Sequence, residues 1–159
     1  MPYEYDHPRP MVTADTAIFR SHEGRLEVLL IQRGKPPFKG SWALPGGFVE
    51  MEEDLEDAAR RELGEETGLS AAWMEQLKTF GRPGRDPRGR VITVVYLAVA
   101  PAGGIEPRAG DDAARAAWFD PRNPPPLAFD HAEVLACALA RLRERALDPE
   151  CPLRPEDLA

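Results

Sequence analysis

The stretch 47–69, GFVEMEEDLEDAARRELGEETGL, puts carboxylates where an ordinary amphipathic helix keeps its leucines. A glycine-led turn runs into a helix expected over about 54–67, with Gly68 as its C-cap. On a wheel of roughly 100° per residue, Leu55, Ala58, Ala59 and Leu63 form the inward stripe, and Glu62 and Glu66 fall within it. Asp57, Arg60, Arg61 and Gly64 take the outer side. Glu62, Glu65 and Glu66 stand at i, i+3 and i+4 and so project from neighbouring positions. Surface helices keep their acids on the wet side, because a buried, unpaired carboxylate is costly. Carboxylates aimed along the core-facing side call for a cation, and three of them close together would repel without one. Their hard oxygen donors suit Mg²⁺, or Mn²⁺ in its place, rather than zinc. Glu52, Glu53 and Asp54 suit the positive end of the helix dipole. Gly64, which costs about 1 kcal/mol against alanine inside a helix, points to close packing there.

The chain around this helix is long enough for one domain, 1–159, with an extended arm at 1–10 and a Pro-rich, loosely held tail at 148–159. A net charge of −7 argues against nucleic acid and anionic membranes as partners. No apolar run approaches the ~20 residues of a membrane span. The first residues, MPYEYDHPRPM, carry Glu4 and Asp6 and are not read as a secretory signal, so a cytoplasmic protein is expected. Cys137, in an apolar helix, reads as a small buried hydrophobe, and Cys151 lies in the tail. Neither has a zinc-spaced partner, and reduced thiols are preferred to a disulfide.

Segments 12–19 and 26–32 read as a hairpin turning at 21–24. Short strands at 42–44 and 48–49 are broken by Pro45-Gly46-Gly47, a turn whose glycines adopt conformations closed to other residues and let the backbone approach a ligand. Residues 75–82 and 114–119 are further strands. Segment 91–100, VITVVYLAVA, is apolar on both faces and therefore central in a sheet. Asp130 is placed as an N-cap, with Glu133 as its capping-box partner, for a covering helix over 131–147. This order of elements predicts an α/β fold, a mixed sheet sandwiched between helices.

Three loops flank the acid helix in sequence. Loop 33–40 carries Arg33, Lys35 and Lys39 just ahead of Trp42, and is either a solvated loop or a substrate edge. Loop 82–90 gathers Arg82, Arg85, Arg88 and Arg90, either as an exposed basic loop or as a phosphate-recognising one. The third, 101–112, ends in Asp111 and Asp112 and also contains Glu106.

The spacing Gly47, five residues, Glu53, seven residues, Arg61-Glu62-Leu63, one residue, Glu65-Glu66, one residue, Gly68-Leu69 matches the Nudix box at each defined position, and the chain resembles a Nudix hydrolase. The resemblance implies an α/β/α sandwich. It also implies Glu62, Glu65 and Glu66 as metal ligands, with a carbonyl at Gly46 or Gly47 contributing. Arg61 then orients the box glutamates, and Glu53 is a further ligand or a support. The general base is Glu66 or a loop acid, with Asp112 and Asp111 ahead of Glu106. The reaction implied is hydrolysis of a diphosphate, for which a divalent ion neutralises charge and acidifies a bound water. SWALPGGFVE, GRDPRGRVITVVY and PLAFDHAEVL look like the ADP-ribose pyrophosphatase-like branch, which implies cleavage of ADP-ribose to AMP and ribose 5-phosphate. Arg33, Trp42, Arg82, Arg85 and Arg88 are then the substrate-binding candidates, and a small-molecule nucleotide is the expected partner. A nucleoside triphosphate pyrophosphohydrolase, acting on oxidised nucleotides among others, is the alternative enzyme. A non-catalytic ADP-ribose sensor is the alternative from another class. Sensors of that branch carry a DNA-binding module after the Nudix domain, and the residues following the last helix are too few for one, so the resemblance leans to an enzyme. Family members often pair, and 3–10 is a candidate exchanged arm for a homodimer.

Overall fold

The computed structural model describes residues 2–103 and 106–159, so residues 104 and 105 of the expected loop 101–112 lie outside the described residues. Seven strands form one mixed sheet: β1 (Met11–His22), β2 (Arg25–Arg33), β3 (Trp42–Ala43), β4 (Gly46–Phe48), β5 (Trp73–Phe80), β6 (Val91–Val99) and β7 (Ala113–Phe119). Helix α1 (Leu55–Thr67) covers one face and α2 (His131–Arg145) the other. The α/β sandwich with a mixed sheet is thus the architecture found.

Alternation along the strands divides the core. Ala14 and Ile18 of β1 and Val94, Tyr96 and Ala98 of β6 meet Ala58, Ala59 and Leu63 of α1. Ala17, Phe19, Val95, Leu97 and Val99 point the other way, onto Val134, Leu135, Ala138, Leu139 and Leu142 of α2. β6 is apolar throughout because both its faces are covered, and it runs parallel to β1 from Met11↔Val91 to Phe19↔Val99.

The other edge of β1 makes room for a site. β1 pairs with β2 only over Phe19–His22, while Thr13, Ala14 and Asp15 pair with Phe48, Gly47 and Gly46 of β4. Farther along β2, Ile31 and Gln32 pair with β3. β1 and β2 therefore part company, each carrying a short strand into the gap, and Leu44-Pro45 links the two.

Several expectations change. Gly46 and Gly47 are not a turn of unusual φ but part of β4; neither has a positive φ. The space around Gly64 is open rather than tight, since a Cβ there would meet nothing within 4 Å. The tail is packed: Cys151 and Leu153 are buried against the α2-side core, and Pro155–Leu158 forms a 3₁₀ turn. Cys151 rather than Cys137 is the buried thiol, and both are free. At the start of α2, Asp130 makes no capping hydrogen bond; its side chain is taken by Arg85. By contrast α1 begins at an Asp54 cap, whose Oδ1 accepts from Leu55 N, and ends at Gly68 in the left-handed region. Residues 2–10 are exposed, with Arg9 lying over the Tyr5 ring. Among the described residues no helix is long and apolar enough to cross a membrane.

Candidate active site

The gap between β1 and β2 opens into a cleft of about 680 Å³, within the range of small-ligand sites. α1 supplies one wall. Glu66, expected to face inward, is 7% exposed, and its Oε1 accepts from Gly46 N at 2.8 Å. Burial pushes its carboxyl up to about 8; the Gly46 N–H opposes that, and the like charges of Glu62 and Asp15 add to it. Burial also raises Glu62, with Arg61 acting against it and Glu65 and Asp111 reinforcing it.

Arg61 is the hub of this wall. Its Nε and Nη2 form a fork on Glu53 at 2.9 and 2.6 Å, its Nη1 donates to Glu62 at 2.8 Å and Glu65 at 3.1 Å, and Nη2 also reaches the Phe48 carbonyl. The guanidinium pulls Glu53 down to about 2, with the Glu50 N–H assisting. In return Glu53 holds Arg61 well above its usual value. Glu53 therefore stands as a support for Arg61.

The adjacent glycines pass between carboxylates of opposite faces. A Cβ on Gly47 would lie 2.5 Å from the Glu62 carboxyl carbon on the α1 side. One on Gly46 would overlap the Asp15 carboxylate on the α2 side and come within 2.6 Å of the Ala14 carbonyl oxygen. The pair serves close approach from both faces, not a turn.

The donors suit a hard dication in kind: a buried carboxylate flanked by like charges gains from a nearby cation. In this conformation Arg61 Nη1 occupies Glu62 and Glu65, and among the described residues no three His, Cys, Asp or Glu side chains stand ready as a metal cage. Glu62 and Glu65 would exchange their bonds to Arg61 for an ion. Glu66, whose one hydrogen bond comes from a backbone N–H, has no such ion pair to give up.

The opposite wall is basic and aromatic. A register shift between Gln32 and Arg33 carries the pairing of β2 with β7 from Gln32↔Arg115 to Arg33↔Ala113, a device that re-aims a side chain. Arg33 lies 5.0 Å from the Phe129 ring, donates to the Pro37 carbonyl, and is held below its usual value by burial and by repulsion from Arg88. Arg88 sits 5.2 Å from the same ring and 4.9 Å from Phe48, forked on Asp86. Arg85 also lines the cleft, but its side chain is 4% exposed and doubly bonded to Asp130 at 2.9 and 2.6 Å.

Two of the expected substrate residues lie elsewhere. Arg82 is exposed and pairs with Glu133. Trp42 packs edge-on against Phe119 at 4.7 Å, and its carbonyl accepts from Ala128 N; neither Arg82 nor Trp42 lines the cleft. Among the loop acids, Asp111 and Asp112 reach the cleft because Arg108 N and Gly110 N bond to the last carbonyls of α1, at Thr67 and Glu66. Asp112 is paired with Lys35 at 2.7 Å, whereas Glu106 faces Arg20 outside the cleft. Asp15 and His131 line the cleft although the sequence reading does not single them out. Their only signal there is an acid inside the apolar strand MVTADTAIF and a histidine at a helix start.

A mixed α/β sandwich whose acid-bearing helix walls a ligand-sized cleft in a parted sheet defines the class. Residues 9–138 match the NUDIX domain family, and the chain belongs to it. It is 38% identical over 152 residues to the ADPR responsive transcriptional repressor NtrR of Acinetobacter baylyi, covering 93% of this chain but only 60% of that protein. It is 45% identical over 126 residues to the ADP-ribose pyrophosphatase of Methanocaldococcus jannaschii, covering 79% of this chain and 71% of the relative. Among solved structures, the NUDIX domain of Shewanella oneidensis NrtR complexed with ADP ribose superposes with a TM-score of 0.80 at 35% identity, over 87% of this chain and 94% of that one.

Proposed function

We propose that this chain, as one Nudix domain, is a Mg²⁺-dependent pyrophosphatase that cleaves ADP-ribose to AMP and ribose 5-phosphate, with Mn²⁺ able to substitute. The observation that carries the reading is Glu66: a buried carboxylate facing a ligand-sized cleft, bonded to one backbone N–H and set beside Glu62 and Asp15. The choice of ADP-ribose rests on the likeness to the pyrophosphatase and to the ADP-ribose-bound domain.

A bound divalent ion supplies charge neutralisation at the diphosphate and an acidified water. Glu62, Glu65 and Glu66 would hold it, with the carbonyl of Gly46 or Gly47 as a further donor, while Arg61, fixed by Glu53, orients Glu62 and Glu65 at the cleft wall until the ion takes their oxygens. Glu66, a buried carboxylate held at the cleft by the Gly46 N–H, is the group we assign to take a proton from the attacking water. Asp112 is the weaker base, exposed and held by Lys35. Arg33 and Arg88 take phosphate oxygens from the opposite wall, and Arg85 supports that wall through Asp130. A small nucleotide rather than nucleic acid is the ligand, in keeping with the charge of −7 and a cytoplasmic setting. Pairing of two copies would rest on the exposed arm at 2–10.

The test is a panel of ADP-ribose, other nucleoside diphosphate sugars and nucleoside triphosphates with Mg²⁺ and with Mn²⁺, products separated by chromatography. AMP from ADP-ribose is expected, with Glu66→Gln losing about 10²- to 10⁴-fold in turnover. Pyrophosphate from triphosphates instead would move the reading to the alternative enzyme. The likeness to a repressor over 93% of this chain favours one second reading, a sensor. Tight ADP-ribose binding with no turnover of any substrate would establish that reading and sink the first.

A further inference from the structure

Phe129, Asp130 and His131 break three local rules in succession. Phe129 is a bulky residue at φ +53°, in the left-handed region that side chains of its kind avoid. Asp130 stands at the N-cap of α2 without capping it. His131, an ionisable residue, is 4% exposed on the first turn of the helix. Local rules broken together mark a place where something other than local stability is served. Here each residue reaches a different part of the cleft. Phe129 stands between Arg33 and Arg88, Asp130 anchors Arg85, and His131 faces the strand gap.

His131 goes furthest. Its Nδ1 accepts from Leu44 N at 3.0 Å, so the ring hydrogen is assigned to Nε2, which faces Asp15 Oδ2 at 3.7 Å. Asp15 Oδ2 also accepts from Thr93 Oγ1 at 2.6 Å, and the Asp15 carboxylate lies against the bare Cα of Gly46. Leu44 and Gly46 flank Pro45, whose carbonyl accepts from Thr16 N. One imidazole thus bonds the first residue of a three-residue link and, through the Asp15 carboxylate it faces, stands behind the last, whose N–H is the donor to Glu66. Leu44-Pro45-Gly46 has no helix or hairpin of its own to set its path; it is held by His131 on the α2 side and by β1 beneath.

We propose that His131, acting through Leu44 and Asp15, is a positioning residue that keeps the Gly46 N–H on Glu66. The α2 layer thereby sets the geometry of a carboxylate carried by the α1 layer. The inference rests on the cleft being a catalytic one, as proposed above, but its first readout does not require turnover. Two amide side chains separate the roles of the ring nitrogens. His131→Asn leaves an acceptor near the position of Nδ1, whereas His131→Gln leaves a donor near that of Nε2.

The experiment is residue-resolved amide exchange on the full chain for wild type, His131→Ala, His131→Asn, His131→Gln and Thr93→Val. Kinetics follow on whichever substrate the panel identifies. For His131→Ala, Gly46 and Leu44 amides are expected to exchange at least about tenfold faster while the β6 amides of Val94 and Val95 are unchanged. Its kcat should fall about 10- to 100-fold with KM moved less. His131→Asn should restore slow exchange at Leu44 and His131→Gln should not, while each, keeping one of the two routes, should return part of the protection at Gly46 and part of kcat. Unchanged Gly46 exchange in His131→Ala overturns the proposal, as does equal acceleration at Val94 and Val95, which marks a merely structural role. If His131→Ala does not fold, Thr93→Val, which removes only the hydroxyl on Asp15, must speed Gly46 exchange or the proposal fails. A wild type that turns over no diphosphate refutes the enzymatic reading while leaving the exchange result to stand or fall by itself.

Discussion

Substituting the two adjacent glycines by alanine should give opposite outcomes. At Gly47 the three atoms nearest the new Cβ all belong to the end of a flexible side chain. The Glu62 carboxyl carbon at 2.5 Å must retreat by about 0.9 Å to reach the 3.4 Å lower bound of ordinary contact. That retreat disturbs the 2.8 Å pairing of Glu62 with Arg61, a partly exposed ion pair worth about 0.2–1 kcal/mol. The lower entropy of the unfolded chain returns about 0.4–1 kcal/mol. The two nearly cancel, so Gly47→Ala should change unfolding free energy by less than about 1 kcal/mol, or roughly 2–4 °C in Tm for a chain of this size. At Gly46 the obstacles are the Ala14 carbonyl oxygen at 2.6 Å and the Asp15 Cα at 2.7 Å, backbone atoms of a paired strand that cannot rotate away. Overpacking of that kind costs about 1–3 kcal/mol. Urea unfolding gives both values; Mn²⁺ titration and turnover complete the comparison. Gly47→Ala should keep its fold and lose metal affinity and turnover, whereas Gly46→Ala should lose stability first. A Gly47→Ala protein destabilised by more than about 3 kcal/mol, beside a neutral Gly46→Ala, would refute the two-sided packing of the glycine pair.

Gly64→Ala places a methyl group in open space on an exposed turn of α1 and should stabilise the protein by about 1 kcal/mol with unchanged turnover; a loss of stability in urea unfolding would mean that the position is packed after all. Acid should expose the Glu53–Arg61 fork. The folded-state value of about 2 lies below the ordinary 4.5, so the contribution is complete above about pH 4.5 and is lost as pH falls toward 2. Tm measured over that window should fall less steeply for Glu53→Gln than for wild type, and parallel curves would show that the fork adds nothing to stability.

What local spacing determines is legible in the sequence. The angular position of Glu66 on a 3.6-residue period predicts a buried acid, and the two-faced apolarity of 91–99 predicts a central strand. The failures involve partners distant in sequence. Asp130 and Glu133 have capping-box spacing, but Arg85, 45 residues away, offers Asp130 two charged hydrogen bonds where a cap offers one to a neutral amide. Another arginine of the same loop, Arg82, then takes Glu133. Gly46-Gly47 reads as a turn that lets a ligand approach; that the close approach is to the chain's own Asp15 and Glu62 shows only once those two are placed on either side. Trp42 looks like a cleft residue from its neighbourhood in sequence, yet its ring goes to Phe119. Prolines alone suggest a loose tail, although Cys151 and Leu153 have apolar area to bury.

Arg61 carries a consequence for how such a protein lives before it meets an ion. A cluster of acids assembled with no counter-charge would repel itself apart, and many small metal sites are for that reason unfolded until loaded. Here the helix brings its own counter-charge, one guanidinium shared by Glu53, Glu62 and Glu65. Arg61 thereby offsets part of the repulsion along this wall before any ion arrives, and Glu66 keeps its excess charge for one. On the proposed metal-dependent reading, folding and metal loading would be separable events.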